Sequence, residues 1–425
     1  MKKETMKSIK SGAVAVVLMA SAHVFAAGFG LYEMSARAMM TGGHNVGKGT
    51  DASAIYYNPA MISDLTGTWV TVGSTLINPP LDTRVDGVGT HKMNAGWFVD
   101  PHAFITQELP WGLTAGLGFY ADYGLASHYD NDWPLSFDSI ETSLEGFCLS
   151  PTLSYKVTDK WSVAAGVRFE HVIFHQRRLY QLDRLANYAY GPTYLGRMRM
   201  RINANNDFDT GYLVGTTYDI TEDFSVGAVW RSRIRCDLEG NVTASGSTTY
   251  SKMMAAENTK SAGEKLDLPM SATVGFNWDR ALWLEKLHLS SSVTWTEWST
   301  LDKIDLGLSE TMELGWHNAY RTGFGFEYDL TDWMTPGMGY VYDWDPMREK
   351  RPNTMIPAGD RHNIYFGSTF HITERLDFTI SGGMVLMESK TAWIDNPVTH
   401  EKDAFKFQSR NSHTYLAAAT LTYHF

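Results

Sequence analysis

From about residue 67 to the last residue, apolar and polar side chains alternate with a period of two in one short run after another. Trp161, Val163, Ala165, Val167 and Phe169 interleave with Ser162, Ala164, Gly166 and Arg168, and Leu376, Phe378 and Ile380 interleave with Asp377, Thr379 and Ser381. Successive side chains of a strand point to opposite faces, so each run is a strand with one apolar and one mostly polar face. Fourteen such strands are predicted, near 67–77, 95–106, 112–121, 146–156, 161–172, 208–218, 223–232, 268–278, 286–296, 320–328, 333–343, 361–371, 376–387 and 412–425. The last ends flush with the sequence. Tyr415, Ala417, Ala419, Leu421, Tyr423 and Phe425 share one face, and Thr420, Thr422 and His424 take the other. A soluble chain end usually frays. The closing strand of a transmembrane barrel, apolar towards lipid and polar towards the lumen, has reason to end this way; a closing strand of a soluble sandwich is the alternative.

The connections alternate in length. Short ones fall at 109–112, 157–161, 220–224, 277–286, 330–333 and 372–376, and long ones near 78–94, 122–145, 173–207, 233–267, 297–319, 344–360 and 388–411. Short periplasmic turns and long outer loops are the habit of outer-membrane barrels. Trp111, Trp161, Phe224, Trp278, Trp283 and Trp333 gather at the short turns, where an interfacial aromatic girdle belongs. An open sheet edge in lipid leaves backbone groups unpaired, so the strands must close into a ring. The expected fold is all-β, a 14-stranded antiparallel transmembrane barrel over residues 66–425.

Composition narrows the classes. Lys2, Lys3, Lys7 and Lys10 precede an apolar run from Ala13 to Ala22 and a small-residue site ending at Ala26, which reads as a secretory signal over residues 1–26. That apolar run falls well short of the roughly 20 helical residues that a bilayer core needs. A mean hydropathy of −0.25 argues against a bundle of membrane helices but suits a wall in which alternate residues face lipid. A net charge of −11 argues against nucleic-acid binding. Cys148 and Cys236 are too few for a disulfide framework; both fall near the outer rim, as two free thiols or one bridge. No GxSxG, HExxH or clustered metal-ligand pattern occurs, so no catalytic residue, metal or cofactor is expected.

Residues 27–65 show no sustained alternation. Six glycines make this stretch pliable, yet Phe29, Leu31, Tyr32, Met34, Met39, Met40, Ile55, Tyr56 and Tyr57 are too apolar for a solvated tail. A ring of fourteen strands is wider than its own side chains can fill, so the segment is expected as a plug in the lumen. The start AGFGLYEMSARAMMTGG, the run DASAIYYNPAMIS at 51–63, LPMSATVGFNW at 268–278, SVTWTEWSTLDKI at 292–304 and IPAGDRHNIYFGSTF at 356–370 resemble the FadL-type long-chain fatty-acid transporters of Gram-negative outer membranes, a family that includes carriers of aromatic hydrocarbons. The resemblance spans the mature chain. It implies an N-terminal hatch inside the barrel, ligand capture at outer loops, and release into the bilayer through a side opening at a kinked third strand.

Carried onto this sequence, the hatch motif is Asn58, Pro59 and Ala60. Pro59 fixes its own backbone, restricts Asn58 to extended conformations, and leaves the Asn58 amide free to tie neighbouring backbone. A plain turn leading into the wall is the alternative role. Phe29 resembles the family's N-terminal apolar residue that reaches towards the ligand. Gly116 and Gly118 lie in the third strand, where glycine marks either a side opening or room for the hatch. Leu179 and Leu182 in one long loop, and Met253 and Met254 in the next, suit either a ligand-entry groove between two short helices or simple loop packing. By its parity Arg361, with Asp360 beside it, points into the lumen, where it can anchor a headgroup or the hatch. Arg168, Arg177, Arg178, Arg184, Arg197, Arg199 and Arg201 suit carboxylate pairing or, for most of them, lipopolysaccharide phosphates. The expected function is passive transport of hydrophobic compounds, long-chain fatty acids first, by a monomer in contact with membrane lipid. Aromatic-hydrocarbon uptake, a barrel enzyme such as a lipase, a general porin and an adhesive surface protein are the rivals.

Overall fold

The computed structural model describes residues 28–94, 96–186, 195–301, 303–304, 312–347, 354–356, 359–410 and 412–425. The expected signal segment lies outside them. Each of the fourteen expected runs is a strand: β1 (Thr68–Asn78), β2 (Phe98–Leu109), β3 (Leu113–His128), β4 (Glu141–Thr158), β5 (Trp161–Gln181), β6 (Asp209–Asp219), β7 (Phe224–Arg231), β8 (Ser271–Trp278), β9 (Leu287–Thr296), β10 (Ala319–Tyr328), β11 (Met334–Asp343), β12 (Arg361–Thr373), β13 (Leu376–Met387) and β14 (Ser412–His424). Each pairs antiparallel with its successor, and β14 pairs with β1 from Trp69–His424 to Asn78–Tyr415, which closes the ring.

The alternation read from the sequence separates two media. Leu76, Ile105, Leu153, Val214, Val274, Phe324, Phe366, Ile380 and Leu421 all face outwards and are exposed. A continuous apolar surface of that size would drive association in water and is at home in hydrocarbon. The inward face carries buried hydroxyls and amides, among them Thr71, Thr75, Ser162, Thr273, Asn277, Ser292, Thr369 and Thr420. Trp111, Trp161, Trp283 and Trp333 stand exposed at the short turns.

On the outer side β3, β4 and β5 run five to nine residues further than their alternation predicted. Above the lipid a strand needs no apolar outer face, so the signal that located these strands stops while their pairing continues. The outer part of β5 pairs with a strand at Arg197–Asn205, which pairs in turn with Ile234–Gly246 and then Lys260–Leu268, making a flap beyond the rim. A second outer sheet joins the hairpins Asp82–Val85/Gly89–Lys92 and Thr391–Ile394/Phe405–Arg410.

Residues 28–65 lie inside the ring as short helices and loops: α1 (Ala36–Met40), α2 (Ala54–Tyr57) and a 3-10 helix at Pro59–Asp64. The Ser35 hydroxyl caps α1 by accepting from the Ala38 N–H. Their apolar side chains are buried with Ile77, Phe104, Tyr120, Val341, Tyr365 and Leu416 of the wall.

Candidate functional site

The interior is organised by the run Tyr56-Tyr57-Asn58-Pro59-Ala60. The Tyr56 hydroxyl donates to the Leu31 carbonyl at 2.7 Å. The Tyr57 hydroxyl accepts from the Met34 N–H at 3.0 Å and donates to the Tyr32 carbonyl at 2.8 Å, so two adjacent rings hold the N-terminal strand, the extended stretch 29–34 that makes one β-bridge, Gly30 to Tyr123. Asn58, fully buried, then uses its whole amide: Nδ2 donates to the Val46 carbonyl at 2.8 Å and to the Thr216 carbonyl of β6 at 3.0 Å, while Oδ1 accepts from the Ala60 N–H at 3.1 Å. One side chain thus ties the inner loop, the wall and the start of the 3-10 helix. Pro59 occupies the first turn of that helix, where its missing N–H costs nothing. The Ala60 carbonyl accepts from Ser154 of β4 at 3.2 Å.

The loop after α1 lies flat against the opposite wall because the wall there has almost no side chains. Gly227 of β7, Gly275 of β8, Ser292 of β9 and Gly323 of β10 are successive neighbours across the sheet. A Cβ added at Gly227 would stand 1.8 Å from the Val46 carbonyl oxygen, and one at Gly215 would stand 2.1 Å from Asn58 Oδ1. At Ser292, the one position of the row with a side chain, the hydroxyl is bonded by His44 Nδ1 at 2.8 Å. Gly47 N–H donates to Asn277 Oδ1 at 3.1 Å, and Lys48 pairs with Asp279 in the turn below.

The wall itself is interrupted beside the N-terminal strand. The ladder between β2 and β3 ends at Ala103–Phe119, although both strands continue outwards. Two residues later β3 carries a bulge: Tyr120 pairs with Cys148 and Tyr123 with Gly146, so Ala121 and Asp122 oppose the single residue Phe147. Residues 120–127 are buried without alternation, having left the lipid face. The edge that β3 withdraws from β2 is taken by the N-terminal strand, with Leu31 N–H donating to the Asp122 carbonyl at 2.9 Å and Gly124 N–H to the Phe29 carbonyl at 2.8 Å. From below, Arg168 of β5 pairs with Asp122 at 2.5 Å.

Phe29 belongs to a large apolar cluster formed chiefly by the outer loops. Its ring meets Trp298 edge-on at 5.1 Å between centroids, with Tyr123 at 5.8 Å and Trp316 at 6.0 Å. Just below, Tyr32, Tyr56, Arg231, Arg321 and Trp298 enclose about 40 Å³ of free space, room for roughly three waters and not for an acyl chain. The guanidinium of Arg321 lies 3.8 Å over the Tyr32 ring.

The remaining sequence candidates are placed differently. Gly116 and Gly118 sit in regular pairing with Thr106 and Phe104, next to the interruption, and a Cβ on either would press on Ile55, with Phe104 also in the way at Gly118. Leu182 lies in α3 (Leu182–Leu185) and packs with Ala255 and Met254 of α4 (Thr249–Glu257), but Leu179 belongs to β5 and Met253 faces solvent. Among the described residues, α4 lies mainly against the flap strands Arg197–Asn205 and Ile234–Gly246. Arg361 is buried in the lumen directly across the ladder from Asp343. Asp360 turns away from it, accepting from the Tyr342 hydroxyl at 2.6 Å and the Asp345 N–H at 2.9 Å. Arg168 is interior, unlike the surface arginines with which it was grouped. Cys148 and Cys236 are buried free thiols.

Residues 17–425 match the family described as outer membrane protein transport protein (OMPP1/FadL/TodX). The long-chain fatty acid transport protein of Escherichia coli K12 is 23% identical over 436 residues, covering 93% of this chain and 95% of its own. An outer membrane protein of Neisseria meningitidis serogroup B is 25% identical over 397 residues, covering 83% and 84%. Among solved structures, a Pseudomonas aeruginosa FadL homologue superposes with a TM-score of 0.81 at 19% identity, over 94% of this chain and all of the other. The Pseudomonas putida toluene transporter TodX gives 0.70 at 17% identity, over 93% and 99%.

Proposed function

The chain belongs to the OMPP1/FadL/TodX family of outer membrane transport proteins, and from that premise we propose that it carries long-chain fatty acids inwards by a gated lateral route. Ligand works its way among the apolar side chains packed under the outer loops, down to Phe29. Withdrawal of the N-terminal strand from β3 frees the interrupted edge between β2 and β3, and ligand leaves sideways into the bilayer. Residues 28–65 act as the hatch, and the Asn58 amide is the joint that sets its position. The observation that carries this reading is the shared backbone pairing: the strand that seats Phe29 also covers the gap in the wall. Affinity comes from burying methylenes, about 0.8 kcal/mol each. No energy-coupling motif occurs in the sequence, so flow follows the gradient.

The aromatic box of Phe29, Tyr123, Trp298 and Trp316 also suits a flat hydrocarbon ring, which keeps monoaromatic compounds as the second reading. Outer-membrane vesicles containing the full chain should take up labelled oleate, and a variant with Asn58→Ala and Pro59→Ala should lose most of that uptake while its barrel remains folded. Toluene uptake without oleate uptake by the parent would transfer the assignment to aromatic hydrocarbons. Equal oleate uptake by parent and variant would remove the hatch from the mechanism.

A further inference from the structure

The flap beyond the rim has two unlike faces. Along Arg197–Asn205 burial alternates strictly: Met198, Met200, Ile202 and Ala204 turn inwards, and Arg197, Arg199, Arg201, Asn203 and Asn205 turn out to solvent. Three arginines therefore stand on one exposed line, about 7 Å apart. Their neighbours across the sheet are uncharged or basic. Arg201 lies between Arg177 and Thr243, Arg199 between Leu179 and Ser245, and Arg197 beside Gln181. Arg177 is already paired with Glu141 at 3.2 Å. Among the described residues no carboxylate lies within ion-pair distance of Arg197, Arg199 or Arg201, whereas Arg37, Arg168, Arg233 and Arg280 all have one. The acidic residues of the same face, Asp237 and Glu239, sit towards the foot of the flap.

Height above the membrane selects the partner. The foot of the flap, at Asn205, is followed by Phe208 and Tyr212, exposed by 62% and 57%, which mark the outer aromatic edge of the lipid-facing belt. At about 3.3 Å per residue and a strand tilt of about 45°, Arg201 rises roughly 9 Å above Asn205 and Arg197 roughly 19 Å. A phospholipid headgroup layer is only about 5–8 Å thick per leaflet. A ligand for this line must carry its phosphates on a structure that rises well past ordinary headgroups.

We propose that Arg197, Arg199 and Arg201 form a docking line for the phosphorylated sugar core of outer-leaflet lipopolysaccharide, which the flap grips beside the barrel. Guanidinium groups suit this task because each offers a planar pair of donors to a phosphate and stays charged at any physiological pH. The buried methionine face of the same strand keeps the line stiff from behind.

The test uses the full chain in detergent, titrated with fluorescent lipopolysaccharide that retains its core phosphates. A variant carrying Arg197→Gln, Arg199→Gln and Arg201→Gln should bind at least tenfold more weakly, with a shallower dependence on salt. Thr243→Glu, which places an acid beside Arg201 without removing any arginine, should weaken binding several-fold. The same ligand stripped of its phosphates should bind parent and variants equally weakly. Unchanged affinity in the triple variant would overturn the proposal. So would a triple-variant loss that persists with the phosphate-free ligand, or displacement by inorganic phosphate at matching phosphate concentration, since single free anions would then suffice. Heat-modifiable migration of each variant reports that the barrel is intact.

Discussion

At the scale of single residues, the interior is held by what Asn58 does and by what four wall positions lack. A carboxamide is the side chain that can donate twice and accept once within a single turn, and all three bonds are made. Opposite it, Gly215 and Gly227 leave room for Asn58 and the Val46 carbonyl, so that backbone of the inner segment touches backbone of the wall. Gly227→Ala is the smallest change that tests this contact. Overpacking of one methyl costs about 1–3 kcal/mol, and the loop at 44–47 has fewer attachments to lose than the strand ladder. The barrel should therefore fold while the loop shifts, and ion conductance in planar bilayers should rise above that of the parent. Conductance equal to the parent's would mean that the loop does not help to seal the lumen.

At the scale of elements, the N-terminal strand and β3 behave as one joint. Leu31→Pro removes the N–H that bonds the Asp122 carbonyl and leaves the wall sequence untouched. Amide exchange should accelerate at Gly124 and across 30–34, with protection of β8–β14 unchanged; persistent protection at Gly124 would mean that this pairing does not hold the strand. The wall was legible in the sequence because lipid forces every spanning strand to be apolar on alternate residues, and Leu376 to Ser381 obey that demand without exception. The break beside β3 was not legible. Residues 121–127 are buried on both sides, so their pattern fades into that of a loop. Glycine at 116 and 118 carries the same letter whether it bends a strand or accommodates Ile55. In the same way Leu179, Leu182 and Leu185 have helical spacing, but the pairing of Leu179 with Arg199 keeps the first of them in a strand.

At the scale of the whole molecule, the periplasmic rim carries a chain of side-chain bonds that begins on the inner segment. Lys48 meets Asp279, His288 bridges Asp279 and Asp329 at 2.8 and 2.9 Å, and Thr335 links Asp329 to His371, which bonds Asp377 at 2.8 Å. Burial works to raise the Asp279 carboxyl, but the hydrogen bonds from His288 and Lys48 outweigh it and hold the group below its ordinary value. A carboxyl so depressed stabilises the closed arrangement at neutral pH and loses that contribution only as pH falls through its lowered value. Conductance should therefore stay flat from pH 8 to 5 and rise below about pH 4, the ordinary aspartate range, whereas Asp279→Asn should conduct more at pH 7. A rise centred near pH 9 would instead assign control to His288, whose hydrogen bond to Asp279 pushes its imidazole up to about 9. The seam of the ring has a consequence of another kind. Thr420 of β14 accepts from the N–H of Ala36, and Thr71 of β1 accepts from Ala52 while bonding Thr422 across the junction. The two strands that close the ring therefore also hold the inner segment, so a change that loosens this seam should loosen both at once.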